Sequence, residues 1–231
     1  MCDISKLIIH YQSIYHFIEF YPRLLNNIAQ FPQFHTDKSN FLEGYKIVKP
    51  EAGISENIEA LSGDVRIDLP VWFGNINAER RYVFIGQEPR DTRNDFNVEK
   101  VNNEVYATPF GIEKSYSRYN KLFVPFVSIP NTFHLFMDVV KEYEVLNKED
   151  KNANDKNARK NFPHFSRASR EFIKKEFEII KPTTIFCLGS KTNSFMNKFF
   201  ANYHIIPITH PAAWGGMKKA EHQLKMNFQV K

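Results

Sequence analysis

The amino-acid sequence predicts an α/β fold: three layers, αβα, around a central, mostly parallel four-stranded sheet, with a helical extension at the N-terminus. Three observations carry this expectation. Short β-branched and aromatic runs at Arg81–Gly86, Thr183–Gly189 and His204–Thr209 have the pattern of strands buried on both faces. Segments of helical period separate them, and strands alternating with helices of roughly ten to fifteen residues pair in parallel between two helical layers. A chain of 231 residues also buries roughly 70–75 % of its unfolded surface, so the core needs no disulfide or structural metal.

Taken in order, the first element is helical. Leu7, Ile8, Tyr11, Ile14, Tyr15, Ile18, Leu24 and Leu25 recur at three- and four-residue steps as far as about Ile28, with an interruption at Pro22. This predicts one or two helices covering one side of the core. Leu7 to Ile18 is uncharged, but it contains His10, Gln12, Ser13 and His16 and follows Asp3 rather than a basic cluster. It is too short for a membrane span and lacks the flanks of a targeting signal, so a buried amphipathic helix is expected. Up to residue 79 the chain is punctuated by Pro32, Gly44, Pro50, Gly53, Gly63 and Pro70, with short apolar runs at Tyr45–Val48 and Val65–Leu69, which reads as irregular connecting structure with room for one short strand. Residues 1–79 are therefore an extension, and 80–231 the α/β core.

Within the core, the strand ending at Gly86 comes first. Phe123–Ile129 reads as a further strand and Thr132–Leu146 as the helix after it. Phe165–Lys181 and Lys191–Tyr203 are the helices before and after the Thr183–Gly189 strand. Lys148 to Lys160 has mixed charge and no large apolar side chain, the composition of a solvated loop or helix end. A DNA-contacting arm is the alternative there.

Composition narrows the function classes. Two cysteines, Cys2 and Cys187, cannot build a disulfide framework or a four-thiolate metal or iron–sulfur site within one copy. A reducing, cytoplasmic compartment and a soluble monomer follow as expectations. A net charge of +5 and a pI near 9.0 permit a polyanionic partner.

In parallel sheets ligands bind beyond the carboxyl ends of the strands. Two loops there stand out. One is Gly86-Gln87-Glu88-Pro89-Arg90-Asp91; the other is His210-Pro211-Ala212-Ala213-Trp214-Gly215-Gly216. Each places a titratable side chain immediately before a proline at a strand mouth. Glu88 as a helix cap and His210 as a satisfied turn residue are the structural alternatives for either one alone.

These loops resemble the uracil-DNA glycosylase superfamily. Gly86-Gln87-Glu88-Pro89 is similar to its first motif and His210-Pro211-Ala212 to its second. Lys181-Pro182 followed by Ile185-Phe186-Cys187-Leu188-Gly189 resembles the segment between them, and Pro109-Phe110-Gly111 its Pro-Phe element. The resemblance implies a DNA glycosylase that hydrolyses the N-glycosidic bond of a flipped-out uracil or related damaged or modified base, in duplex or single-stranded DNA, without metal or cofactor. Glu88 would polarise water or stabilise the electron-poor sugar, and His210 would donate to the carbonyl oxygen of the departing base. Gly86, Gln87, Arg90, Phe110 and Asn131 would bind the base, with Phe110 as the stacking platform. Ser190, Lys191, Pro211, Trp214, Met217 and Lys218 would meet the DNA, with Trp214 or Met217 as the wedge that fills the gap left by the flipped nucleotide.

Each role has a plainer alternative: a core position for Phe110, a buried Trp214 beneath the sheet, a solvated helix face for the lysines. The sequence also departs from the family. Glu88 is one methylene longer than the aspartate of the best-known uracil branch. Arg90 replaces the tyrosine that rejects thymine's methyl group. Asn131 is displaced from the expected place of the base-reading asparagine, and the cysteines of the iron–sulfur branches are missing. A divergent, cluster-free member is therefore expected. A non-catalytic nucleic-acid or nucleotide binding module and a nucleoside or nucleotide hydrolase are the alternatives.

Overall fold

The computed structural model describes residues 4–15, 64–68, 70–88, 104–107, 109–111, 118–145, 162, 166–167 and 169–229. In chain order the elements are α1 (Ile4–Tyr15), β1 (Asp64–Asp68), β2 (Val71–Gly74), β3 (Arg80–Gly86), β4 (Glu104–Ala107), a 3₁₀ turn (Pro109–Gly111) and α2 (Arg118–Val127). They continue as β5 (Thr132–Asp138), β6 (Glu142–Val145), α3 (Arg170–Ile180), β7 (Thr184–Leu188), α4 (Ser190–Phe199), β8 (Ile205–Ile208) and α5 (Gly216–Phe228).

The main sheet has five strands in the order β2-β5-β3-β7-β8. Four of them, β5, β3, β7 and β8, run parallel, as a mostly parallel sheet requires, and β3, β7 and β8 are strands expected from sequence. The fifth, β2, is an antiparallel edge strand on β5 and lies N-terminal to the boundary at residue 80. A smaller sheet joins β4, β1 and β6, parallel on one side of β1 and antiparallel on the other.

Two assignments near the middle of the chain are exchanged relative to the sequence reading. Residues expected as a strand at Phe123–Ile129 form the end of α2, and the expected helix from Thr132 begins as β5. Leu122, Phe123, Phe126 and Val127 are buried while Lys121 and Pro125 are exposed, the one-sided pattern of a helix on a sheet. Every residue of β5 is buried, as a strand covered on both faces requires. A short apolar run interrupted by proline looks the same in either state until its neighbours are known.

Right-handed crossovers place the helices. The chain passes from β3 through α2 to β5 in one direction across the sheet, then from β5 through α3 to β7 and through α4 to β8 in the other. The two sets of helices therefore cover opposite faces. On the α2 face a ladder of rings runs across three neighbouring strands: Phe84 stacks on Phe136 at 4.6 Å and on Phe186 at 5.0 Å between centroids. Phe123 of α2 lies 5.2 Å from Phe84, and Phe228 of α5 lies 5.4 Å from Phe186. By strand alternation Val83, Ile85, Leu135, Met137, Ile185 and Cys187 face the other layer, where Ile173, Phe177, Ile180, Phe195 and Met196 are buried. Each fully buried ring or aliphatic side chain contributes about 1.5–3 kcal/mol of transfer free energy. The N-terminal helix docks on α3: Leu7 and Tyr11, four residues apart on one face, are fully buried, and the His10 ring stacks on Phe172 at 3.9 Å.

A buried ionic cluster joins these parts. Lys141 Nζ lies 2.9 Å from Asp68 Oδ2 and 3.2 Å from Glu176 Oε1, and Tyr11 Oη donates to Glu176 Oε1 at 2.8 Å. All four side chains are at most 1 % exposed. Burial opposes the charge on Lys141, but the two carboxylates facing it outweigh burial and hold the ammonium above its usual range. Burial raises both carboxyls, Glu176 to about 7. Two acids share one cation, so at neutral pH the second negative charge is the costly one. Asp68 also accepts the Asp138 N–H at 3.0 Å, and its own N–H donates to the Lys141 carbonyl at 2.8 Å. The cluster thus fixes residues 138–141, the segment that leaves β5.

Among the described residues no helix is long and apolar enough to cross a membrane, and no group of three His, Cys, Asp or Glu is arranged to hold a metal ion. Burial pushes the Cys187 thiol up to about 12, so it stays protonated inside the core. Cys2 and residues 148–160 lie outside the described residues.

Candidate active site

The carboxyl ends of β5, β3, β7 and β8 meet at one edge of the main sheet, because the four strands are parallel and in register: Gly86 pairs with Asp138, Ile85 with Cys187, and Leu188 with Ile208. From this edge rise Gln87 and Glu88 after β3, and His210 after β8. One strand separates β3 from β8, so the two loops start roughly 10 Å apart.

Gly86 is where Asp138 and Phe110 approach each other. A Cβ on Gly86 would collide with the Asp138 carboxylate and stand 2.9 Å and 3.1 Å from Cζ and Cε1 of Phe110. Only a hydrogen fits, which explains why a glycine ends this strand. The Phe110 ring is held by Phe123, Tyr119 and Phe136 at 5.7, 5.9 and 6.4 Å. Its backbone adopts φ 62°, a left-handed conformation that costs a non-glycine residue about 1–2 kcal/mol and persists only where the surroundings over-determine it. The ring is partly buried rather than wholly enclosed. It also packs against the hydrophobic core, as the plainer reading as a core phenylalanine expects.

The Glu88 loop is clamped from the β5 side. Val139 and Val140 N–H donate to the Gly86 and Gln87 carbonyls, each at 3.0 Å, so the buried Lys141 cluster fixes this loop through two main-chain bonds. Glu88 is 8 % exposed, and its Oε2 accepts from Gln87 Nε2 at 2.8 Å. A carboxylate so enclosed, yet at a strand mouth, can hold a water or face a developing positive charge without competition from bulk solvent.

On the other side His210 leans over the end of β7, with its Cβ and Cδ2 3.5 and 3.6 Å from where a Gly189 side chain would begin. Its Nδ1 accepts the Ala212 N–H at 3.1 Å. An imidazole whose Nδ1 is an acceptor carries its proton on Nε2 when neutral. The loop therefore selects the tautomer that presents an N–H, and a neutral His210 is a directed hydrogen-bond donor. The loop is wound tightly: Ala213 N–H donates to the His210 carbonyl at 2.9 Å, Gly216 N–H to Ala213 at 2.8 Å, and Thr209 N–H to Gln223 Oε1 at 2.8 Å.

The remaining expected residues divide by place. Pro211 is buried under its loop, Met217 is half-buried against the core, and Lys218, Ser190 and Lys191 are exposed on the first turns of α5 and α4. Trp214 is 100 % exposed, which excludes the reading of a tryptophan buried beneath the sheet. Arg90 lies outside the described residues. Asn131 requires a correction. It sits in the exposed turn before β5 with φ 56°, next to Thr132, which pairs with Arg80 at the start of β3. That is the opposite end of the sheet from Glu88 and His210, so the structure does not bring Asn131 together with them. The misplacement follows from the exchanged assignments of α2 and β5. Once β5 is a strand, the polar residue at its carboxyl end is Asp138, which sequence reasoning missed. The signal available was an unbroken apolar run closed by one acid.

Comparison with known families gives one result. The family model described as the uracil DNA glycosylase superfamily matches residues 73–231, from within β2 to the C-terminus and across both loops. A search of the curated proteins finds no match. With more than half of its length covered by that match, and with the parallel sheet and both motif loops on one edge, the chain belongs to the uracil DNA glycosylase superfamily, whose members hydrolyse N-glycosidic bonds in DNA.

Proposed function

We propose that this chain is a monofunctional DNA glycosylase that hydrolyses the bond between deoxyribose and a flipped-out uracil or related damaged or modified base, in base-excision repair and in the cytoplasm. The observation that carries the reading is the convergence on one sheet edge of an enclosed carboxylate, Glu88, an aromatic face, Phe110, and an imidazole whose Nδ1 is occupied, His210. Rotating a base out of the stack costs a few kcal/mol, and an aromatic platform returns part of it. As the bond breaks, the sugar becomes electron-poor and the base anionic. Glu88 stabilises the first and orients the water that attacks the sugar carbon, taking its proton. His210 Nε2–H stabilises the second by donating to the base's carbonyl oxygen.

Trp214, fully exposed on the loop that follows His210, is suited to enter the duplex where the base has left. Lys191 and Lys218, at the starts of α4 and α5, suit contacts to phosphate oxygens. The protein acts as a monomer without cofactor in this reading.

The test is incubation with oligonucleotides carrying uracil, hypoxanthine, xanthine or a hydroxymethylated pyrimidine, followed by alkali cleavage at abasic sites. Glu88→Gln is expected to lower turnover by about 10²–10⁴ and His210→Ala by about 10²–10³, both with unchanged thermal unfolding. Salt-dependent DNA binding without base release from any substrate would favour a binding module instead.

A further inference from the structure

We propose that Asp68 is a positioning residue for base release: from β1, outside the residues 73–231 that match the family, it ties the Glu88 loop and the strand leading to Phe110 into one geometry. This rests on the glycosylase reading above and adds to it a side chain so fully buried that DNA does not reach it.

The first tie is a staple. Asp68 Oδ2 accepts the Asp138 N–H at 3.0 Å and the Lys141 ammonium at 2.9 Å, and the Asp68 N–H donates to the Lys141 carbonyl at 2.8 Å. Residues 138–141 are therefore held at both ends by one residue. The two amides between those ends, of Val139 and Val140, donate to the Gly86 and Gln87 carbonyls, each at 3.0 Å, and Glu88 follows directly. A shift of the staple thus passes toward the Glu88 carboxylate through main-chain bonds, with no flexible side chain between to absorb it. Glu176 closes the cluster from α3 at 3.2 Å from Lys141 Nζ. Lys141 keeps one carboxylate partner without Asp68, so removing Asp68 does not strand a buried cation.

The second tie is strand pairing. β1 is the middle strand of the small sheet. On one side Ile67 pairs with Glu142, next to Lys141; on the other Asp68 pairs with Ala107, three residues before Phe110. The two elements that approach each other over Gly86, the end of β5 and the Phe110 turn, are thereby referenced to the same strand. Residues 73–231 contain both elements but not β1, the strand that sets their spacing. Reacting groups have to be held within about 0.5 Å, and buried supporting bonds of this kind supply that precision.

The experiment compares the wild-type chain with Asp68→Ala, Asp68→Asn and Phe200→Leu on the modified oligonucleotide that the wild type cleaves fastest, reading kcat, KM, urea unfolding and hydrogen exchange of the amides of residues 138–140. Phe200 lies between α4 and β8 at the amino end of the sheet, packed on Phe177 and Tyr203, so Phe200→Leu lowers the urea midpoint away from the staple and leaves kcat per folded molecule unchanged. Asp68→Ala is expected to lower kcat by about 10- to 100-fold and to speed exchange at residues 138–140, with KM within about threefold because phosphate contacts dominate DNA affinity. Asp68→Asn retains an oxygen at the Oδ2 position and is expected to restore most of the rate. Wild-type kcat in folded Asp68→Ala, or a fall in kcat no larger than that of Phe200→Leu, overturns the positioning role and leaves the glycosylase reading intact. If Asp68→Ala lacks a cooperative unfolding transition, Asp68→Glu decides in its place: one methylene longer, it should turn over about tenfold more slowly than Asp68→Asn, and equal rates in the two overturn the proposal. Release of no base by the wild type overturns the glycosylase reading, and this proposal with it.

Discussion

Gly86→Ala is the sharpest probe of how the site is built, because it adds one methyl group at a position whose backbone is not strained. Gly86 is absent from the positive-φ glycines, so the penalty is steric alone. The added carbon would stand 2.9 Å from Phe110 Cζ, against about 3.5 Å for an ordinary carbon contact. The ring must retreat by about 0.6 Å, and the Asp138 carboxylate must move as well. Neither yields freely: Phe123, Tyr119 and Phe136 back the ring, and Asp68 with Val139 and Val140 fixes the main chain around Asp138. Overpacking of this kind costs about 1–3 kcal/mol, readable as a lower urea midpoint at unchanged slope. Because a 1 Å misplacement in an active site costs on the order of 10²-fold in rate, base release should fall by roughly ten- to a hundredfold in protein that is still folded. Gly215→Ala is the control. Gly215 has φ +65° with open space around it, so alanine there incurs only the left-handed penalty of about 1 kcal/mol and leaves Phe110 in place. A Gly86→Ala protein with wild-type stability and wild-type base release would refute the contact geometry of Gly86, Asp138 and Phe110.

Other outcomes follow from the buried groups and the exposed loop. Burial, with Arg80 adding a smaller push, lowers the His134 pKa from 6.5 to about 3; the folded state stays neutral while the unfolded chain protonates. The stability this histidine leaves intact above pH 6.5 is lost as the pH falls toward 3, amounting to about 3 kcal/mol by pH 4. His134→Phe should flatten that part of an acid unfolding profile, and an unchanged profile would contradict the burial. Glu176 has the opposite sign. Its pKa is raised to about 7, so its contribution is fully present below about 4.5 and lost as the pH rises to 7; Glu176→Gln should gain on the wild type by about 3 kcal/mol between pH 4 and 8, measured by urea unfolding across that range. Lys141→Met leaves two buried acids without their cation and should cost about 3–5 kcal/mol at pH 8, with a smaller loss at pH 4. Trp214→Ala should leave thermal unfolding unchanged while lowering base release from duplex DNA more than from single strands; equal effects on both would remove Trp214 from the wedge role.

The amino-acid sequence alone determined the parallel core, because strands such as Tyr82–Ile85 and Ile185–Leu188 are continuous apolar runs closed by glycine, a pattern that only burial between two helical layers satisfies. It also determined the two motif loops, since Glu88 and His210 each stand at a strand mouth before a proline. Tertiary structure alone decided what lies between them. The residues of α2 and β5 have nearly the same apolar content, and their states are distinguished by which faces are covered, a property of neighbours rather than of the segment. Exchanging the two placed Asn131 at the amino end of the sheet and Asp138 at the carboxyl end, beside Gly86. The Lys141 cluster was equally hidden, because its members are 73 and 35 residues from Lys141 along the chain and become partners only when α1, β1 and α3 close over the end of β5. Proximity of this kind comes from burial, and burial is a property of the whole fold.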